Sequence, residues 1–209
     1  MWAIIQSGGW VMLPLILCSI AALTIAIDRL WHLRRGRVVP QRDIRLAWRL
    51  CRQSKITAAE FKALRQASPV GRILSAGILN RAHPVAIIKE SLEEVGQQVA
   101  HQLERYLNAL GTIAAVSPLL GLLGTVLGMI RVFNTMTAEA VTDPSRLAGG
   151  IAEALITTAA GLLIAIPALL FYRYFRGQVD GLLIEMEEEG LKMIEVIQGL
   201  RERDTPESV

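Results

Sequence analysis

No aspartate, glutamate, lysine or arginine occurs in three long stretches of this chain, 10–27, 106–130 and 154–172. Uncharged runs of that length exclude an ordinary soluble domain. Each is long enough, as a helix, to cross a hydrocarbon layer of about 30 Å. The first is the shortest and recruits Gly8 and Gly9. Cysteine is almost absent: Cys18 falls inside the first stretch and Cys51 in a basic hydrophilic region, so no disulfide is expected. The three histidines, His32, His83 and His101, are scattered without metal-ligand spacing, which argues against a metal site. No Gly-x4-Gly-Lys-Ser/Thr loop is present, and Gly121, Gly124 and Gly128 lie in an apolar run with no following lysine, which excludes a phosphate cradle. Without a Ser/His/Asp or Cys/His constellation, no enzyme and no cofactor are expected. There is no internal repeat.

What is present is strongly apolar: 52% of 209 residues are hydrophobic, and the mean hydropathy is +0.40. The first stretch is not a signal peptide, since no positive charge precedes it and no small-x-small site follows it. Leu17, bulky, precedes Cys18, which argues against a lipoprotein cysteine. The basic residues set an orientation. Residues 28–105 hold 15 of the 22 Lys and Arg, 173–209 hold five, and 131–152 hold only Arg131 and Arg146. Arg29, Arg34, Arg35 and Arg37 follow the first span directly, where the positive-inside rule is strongest. The expected arrangement is N-terminus outside, large loop inside, short loop outside and tail inside. The net charge of +3 marks the inner face and favours contact with anionic lipid headgroups, with no nucleic-acid partner.

Residues 1–9 read as an interfacial lead, with Trp2 and Trp10 suited to headgroup level. In the hydrophilic loop, 42–50 and 57–66 read as short helices, and Ser68-Pro69 and His83-Pro84 as breaks. From Val85, the residues Ile88, Leu92, Val95, Val99, Tyr106 and Leu110 recur at helical spacing, predicting one long helix that runs unbroken into the second span. In the tail, Val179, Leu183, Met186, Met193, Ile197 and Leu200 follow a seven-residue pattern that Gly190 interrupts. The acidic run Glu185, Glu187, Glu188 and Glu189 reads as a solvated face, since it lacks the loop geometry of a calcium site.

The polar residues of the spans carry the chemistry. Glu153 is the only acid between Asp143 and Asp180. A carboxylate at the centre of a membrane helix costs about 2.5–3.5 kcal/mol on insertion scales, and less toward an end, so it faces a partner, a cavity or another helix. Thr157 is one turn further on the same face, with Thr158 beside it. An acid followed by hydroxyls is the minimal equipment for moving a proton or small cation. In the second span Ser117, Gly121, Gly124 and Gly128 share a side, with Thr125 next to them; small residues four apart permit close helix approach. Gly161 lies within the third span. The plainer reading of these glycines is a packing seam only.

Gly-Leu-Leu-Gly-Thr-Val-Leu-Gly at 121–128, Gly-Ile-Ala-Glu-Ala-Leu-Ile-Thr-Thr-Ala at 150–159 and Gly-Leu-Leu-Ile-Ala-Ile-Pro-Ala at 161–168 resemble the ExbB/TolQ/MotA proton-channel family. The three-span plan resembles the ExbB and TolQ branch, ExbB most. The resemblance implies an all-α membrane protein in which the second and third transmembrane helices extend into a cytoplasmic helical bundle. Its expected segments are an outer lead (1–9), spans at 10–27, 106–130 and 153–172, a cytoplasmic helical loop (28–105), a short periplasmic loop (131–152) and a cytoplasmic tail (173–209). It further implies a homo-oligomer, a pentamer, in the bacterial inner membrane, with an ExbD-like single-span subunit and a TonB-like protein as partners. By position the key acid is Glu153, and the polar threonines are Thr125 and Thr158. One departure is Ala148-Gly149 where the family commonly has Ala-Pro, which is expected to loosen the start of the third helix. The rivals are a TolQ-like subunit of an envelope-constriction system and a non-conducting scaffold.

Overall fold

The computed structural model describes residues 9–53, 55–138 and 144–198. The expected lead at 1–8, Thr142, Leu200 and the end at 201–209 lie outside the described residues. Every regular element among them is helical: α1 Met12–His32, α2 Arg35–Val38, α3 Gln41–Arg52, α4 Ala58–Ala67, α5 Pro69–Leu79, α6 Val85–Glu104, α7 Leu107–Ala138 and α8 Pro144–Ile197. Three of them, α1, α7 and α8, are long and apolar enough to cross a membrane. The all-helical expectation therefore holds.

The chain divides into two compact units, residues 1–28 with 106–174, and 29–105 with 175–209. The first is the apolar one. Its outward positions carry Leu13, Leu17, Ile20 and Leu23 on α1, Leu119, Leu122 and Val126 on α7, and Leu155, Leu163 and Leu170 on α8. Large apolar side chains turned outward at every level of three helices suit a hydrocarbon solvent. Many inward positions are small, among them Ala22, Ala26, Ala114, Ser117, Ala154, Ala165 and Ala168, beside larger ones such as Leu15, Leu107, Leu110 and Val132.

The second unit is built on α5. Its apolar sequence is buried nearly all round, from Val70 to Ile78, as expected of a helix packed on several sides. Thr57 starts α4 with a reciprocal capping box to Glu60, and Ser68 starts α5 by accepting a hydrogen bond from the Gly71 amide at 3.2 Å. Pro69 occupies the first turn of α5, where its missing donor is not needed. On α8 the buried stripe is Phe175, Val179, Leu182, Met186, Gly190, Met193 and Ile194. Gly190 is thus in phase with the stripe and does not interrupt it. A Cβ there would meet the Leu92 side chain at 3.6 Å. The acidic run is only partly a solvated face. Glu185 receives a bidentate pair from Arg35, with Nη2 to Oε1 at 2.6 Å and Nε to Oε2 at 3.0 Å, and Glu189 pairs with Lys192.

Two further expectations need correction. The predicted unbroken helix from Val85 into the second span ends at Glu104. Tyr106 has φ 67°, left-handed and strained for a side-chain-bearing residue, and α7 begins at Leu107. The Leu103 carbonyl receives a hydrogen bond from Arg29 Nη1 at 3.2 Å. Arg29 is 7% exposed, so this cation caps the end of α6, where basic groups are favoured. The second correction concerns Ala148-Gly149. It does not loosen the start of the third helix, because α8 begins at Pro144 and runs through both residues. α8 also continues through Pro167, and α7 extends to Ala138.

The α4–α5 junction gives a stability test. Ser68→Ala removes a cap and is expected to cost about 1 kcal/mol. Gly71→Ala places a Cβ 2.5 Å from the Leu64 carbonyl oxygen; backbone must move, and the loss exceeds that of the cap. Thermal melting of the solubilised chain measures both.

Candidate functional site

The polar residues of the apolar unit gather where α7 crosses α8. The two helices run antiparallel, and small residues on each let the other in. From one end, Gly150 meets the Val132 side chain. A Cβ on Gly128 would sit 3.0 Å from Ala154 Cβ, and Gly124 faces the Thr157 side chain. A Cβ on Gly121 would lie 3.0 Å from Thr158 Cα, and one on Gly161 only 2.5 Å from the Ser117 carbonyl oxygen. Further along, a Cβ on Gly111 would meet the Tyr172 ring at 3.2 Å. Backbone touches backbone at Gly121 and Gly161, a distance that no larger residue permits.

The structure brings together Gly121, Gly124, Gly128, Gly161, Thr157 and Thr158. Thr157 is 1% exposed and Ser117 is fully buried. Thr158 Oγ1 donates across the seam to the Gly121 carbonyl at 3.0 Å. Interhelical hydrogen bonds of this kind are worth about 0.6–1.7 kcal/mol. Thr125 is different: it is half-buried, and its hydroxyl donates to Leu122 O of its own helix at 2.6 Å. Glu153 lies in α8 one residue before Ala154, the residue that packs on Gly128. It is one helical turn from Thr157 in the chain. Ser117 Oγ donates to Ile113 O at 2.7 Å.

Each of these three hydroxyls spends its single donor on a carbonyl, which only accepts. What remains at each oxygen is acceptor capacity. Among the described residues no group of three His, Cys, Asp or Glu could hold a metal ion. Two features of the seam are not evident from the motif. Gly111 belongs to the same face, ten residues before Gly121, and Gly150 accommodates Val132. The signal for Gly111 is its spacing, since 111, 114, 117 and 121 recur every three or four residues with small side chains.

Residues 65–188, which include the whole seam from Ser117 to Gly161, match the MotA/TolQ/ExbB proton channel family. The chain is 37% identical over 169 residues to biopolymer transport protein ExbB-like 1 of Synechocystis sp., covering 79% of this chain and 66% of that one. It is 37% identical over 180 residues to the ExbB-like 3 protein of the same organism, covering 82% of each. The Tol-Pal system protein TolQ of Haemophilus influenzae is 34% identical over 126 residues, covering 59% of this chain and half of that protein.

The seam predicts a contrast between two glycines of α8. Gly161→Ala forces a Cβ against the Ser117 backbone, whereas nothing lies within 4 Å of a Cβ at Gly149. The first is expected to lower the melting temperature and reduce membrane yield of the intact chain. Gly149→Ala leaves both unchanged or raises stability by about 1 kcal/mol through helix propensity. Melting and yield of the two variants side by side measure the difference.

Proposed function

Since the chain belongs to the MotA/TolQ/ExbB proton channel family, we propose that it is an ExbB-like subunit of an inner-membrane motor driven by protons. The family is one of proton channels, not a class of enzyme, and the three apolar helices make this chain a membrane protein. In the proposed role Glu153 is the acid of the proton path, and Thr157, Thr158 and Thr125 are its polar lining. A homopentamer would surround the single-span helix of an ExbD-like subunit and pass work to a TonB-like protein serving the outer membrane. One charge crossing 100 mV releases about 2.3 kcal/mol, enough per proton to shift a conformational equilibrium.

The observation that carries the reading is the acceptor-rich seam itself. Thr157 is buried and Thr158 is bonded across to Gly121 within one and a half turns of the lone acid. A scaffold needs close packing but not an acid beside oriented hydroxyls. A TolQ-like role in a Tol-Pal system is the second reading, favoured by the likeness to TolQ over 126 residues.

The proposed orientation puts the N-terminus and 131–152 in the periplasm and 28–105 and 173–209 in the cytoplasm. Anionic lipids are proposed to meet the face of α3 that carries Arg42, Arg45, Arg49 and Arg52. All four are exposed, while Asp43, the one acid of that helix, is turned inward. A basic amphipathic helix so close in sequence to a membrane span suits a negatively charged surface.

Two outcomes follow. Glu153→Gln is expected to abolish proton-driven transport while insertion and oligomer size stay normal; a glutamine variant with near-normal transport returns the chain to the scaffold reading. The orientation is read by a membrane-impermeant thiol reagent on intact cells. A Thr142→Cys variant is expected to react and an Arg34→Cys variant not to. Arg34 is the better inner probe than native Cys51, because burial pushes the Cys51 thiol up, with Arg81 and Arg52 only partly opposing it. Less thiolate is then present at neutral pH, so Cys51 reacts slowly on either side. Labelling at Arg34→Cys from outside reverses the orientation.

A further inference from the structure

Charges are scarce in the membrane-spanning unit. Arg131 is the only charged residue of α7. Glu153 is the only one of α8 between Arg146 and Arg173. α1 contributes none from Met12 to Ile27, Asp28 being the first.

The seam fixes the level of these two opposite charges. Gly128 packs on Ala154, and Gly150 packs on Val132. Arg131 is three residues beyond Gly128, and Glu153 is one residue beyond Ala154 in the same direction. At about 1.5 Å rise per residue the two are offset along the seam by about 3 Å. Counting from Val132 and Gly150 gives the same offset. Arg131 also lines a small cavity with Thr157, Gly124, Leu127 and Gly128 of the seam and Gly9, Trp10 and Val11 of the chain's beginning. The cavity measures about 10 Å³ for a water-sized sphere, the threshold for holding one water.

We infer that Arg131 is the counter-charge of Glu153 and a positioning residue of the path. A lone carboxylate in a membrane helix is costly, and so is a lone guanidinium; an acid and a base at one level of a packed helix pair offset each other. Arg131 acts through the acid by holding its charge at the outer end of the seam, beside the water-sized space next to Thr157. The functional half of this inference rests on the proposed role of Glu153; the pairing does not.

The test uses the full chain in lipid nanodiscs and, separately, in cells whose own copy is deleted. Melting temperatures are measured for Arg131→Gln, Glu153→Gln and the double variant. Each single is expected to lower the melting temperature, because it removes one half of the pair, and the double to recover toward the parent. Additive losses overturn the pairing. In cells, Arg131→Gln is expected to reduce proton-driven transport at least tenfold and to move its pH dependence, while Arg131→Lys keeps both close to the parent. Parent-like transport in Arg131→Gln overturns the positioning role. If Glu153→Gln transports normally yet the melting cycle is coupled, the proton-path reading fails and the ion pair stands.

Discussion

The close approach of α7 and α8 is the constraint on which the rest of the apolar unit depends. In a bilayer an apolar side chain gains little by exchanging lipid for protein, so helices associate through tight packing and hydrogen bonds. Here the contact is backbone to backbone, with the Ser117 carbonyl oxygen only 2.5 Å from where a Cβ of Gly161 would be. That contact sets the register, and the register sets the depth of every polar group. Thr157 is opposite Gly124 and Thr158 opposite Gly121, so the hydroxyls share a narrow band. The large apolar residues have no such role; Leu119, Leu155 and Leu163 are turned outward.

The two seam helices differ in how they begin and end. α8 is hydrogen-bonded without a break from Pro144 to Ile197. α7 starts afresh after Tyr106, whose left-handed backbone costs about 1–2 kcal/mol for a residue with a side chain. The compensation is local. In a continuous helix the Leu103 carbonyl would take the amide of Leu107; here it takes Arg29.

Much of this was legible in the sequence, for reasons that also explain what was not. Uncharged length identified the three apolar helices, and glycine spacing marked a face of α7 open to close helix approach, because both follow from local pattern and membrane physics. The break at Tyr106 was invisible. Periodicity reports which face is apolar, and the face resumes in phase closely enough that Leu103, Leu107 and Leu110 are all buried; no proline or glycine marks the joint. Arg29 was legible as a charge on one side of a membrane, grouped with Arg34, Arg35 and Arg37. Its burial against Leu103, and the pairing of Arg35 with Glu185, depend on contacts 74 and 150 residues away in the chain, which composition cannot encode. Gly190 looked like an interruption because a glycine adds nothing to an apolar pattern. It is in phase with the buried stripe and lets Leu92 approach.

The chemistry of the seam follows from what its oxygens have already given up. A threonine hydroxyl has one proton to donate and two lone pairs. At Ser117, Thr125 and Thr158 the proton is committed to Ile113, Leu122 and Gly121 carbonyls. An anion approaching these groups would meet only acceptors. A donor would meet lone pairs whose orientation is already fixed, so little reorganisation is needed when it arrives. Net charge in these spans is then left to the few ionisable residues: Arg131 is the only charged residue of α7, and Glu153 the only one of α8 between Arg146 and Arg173.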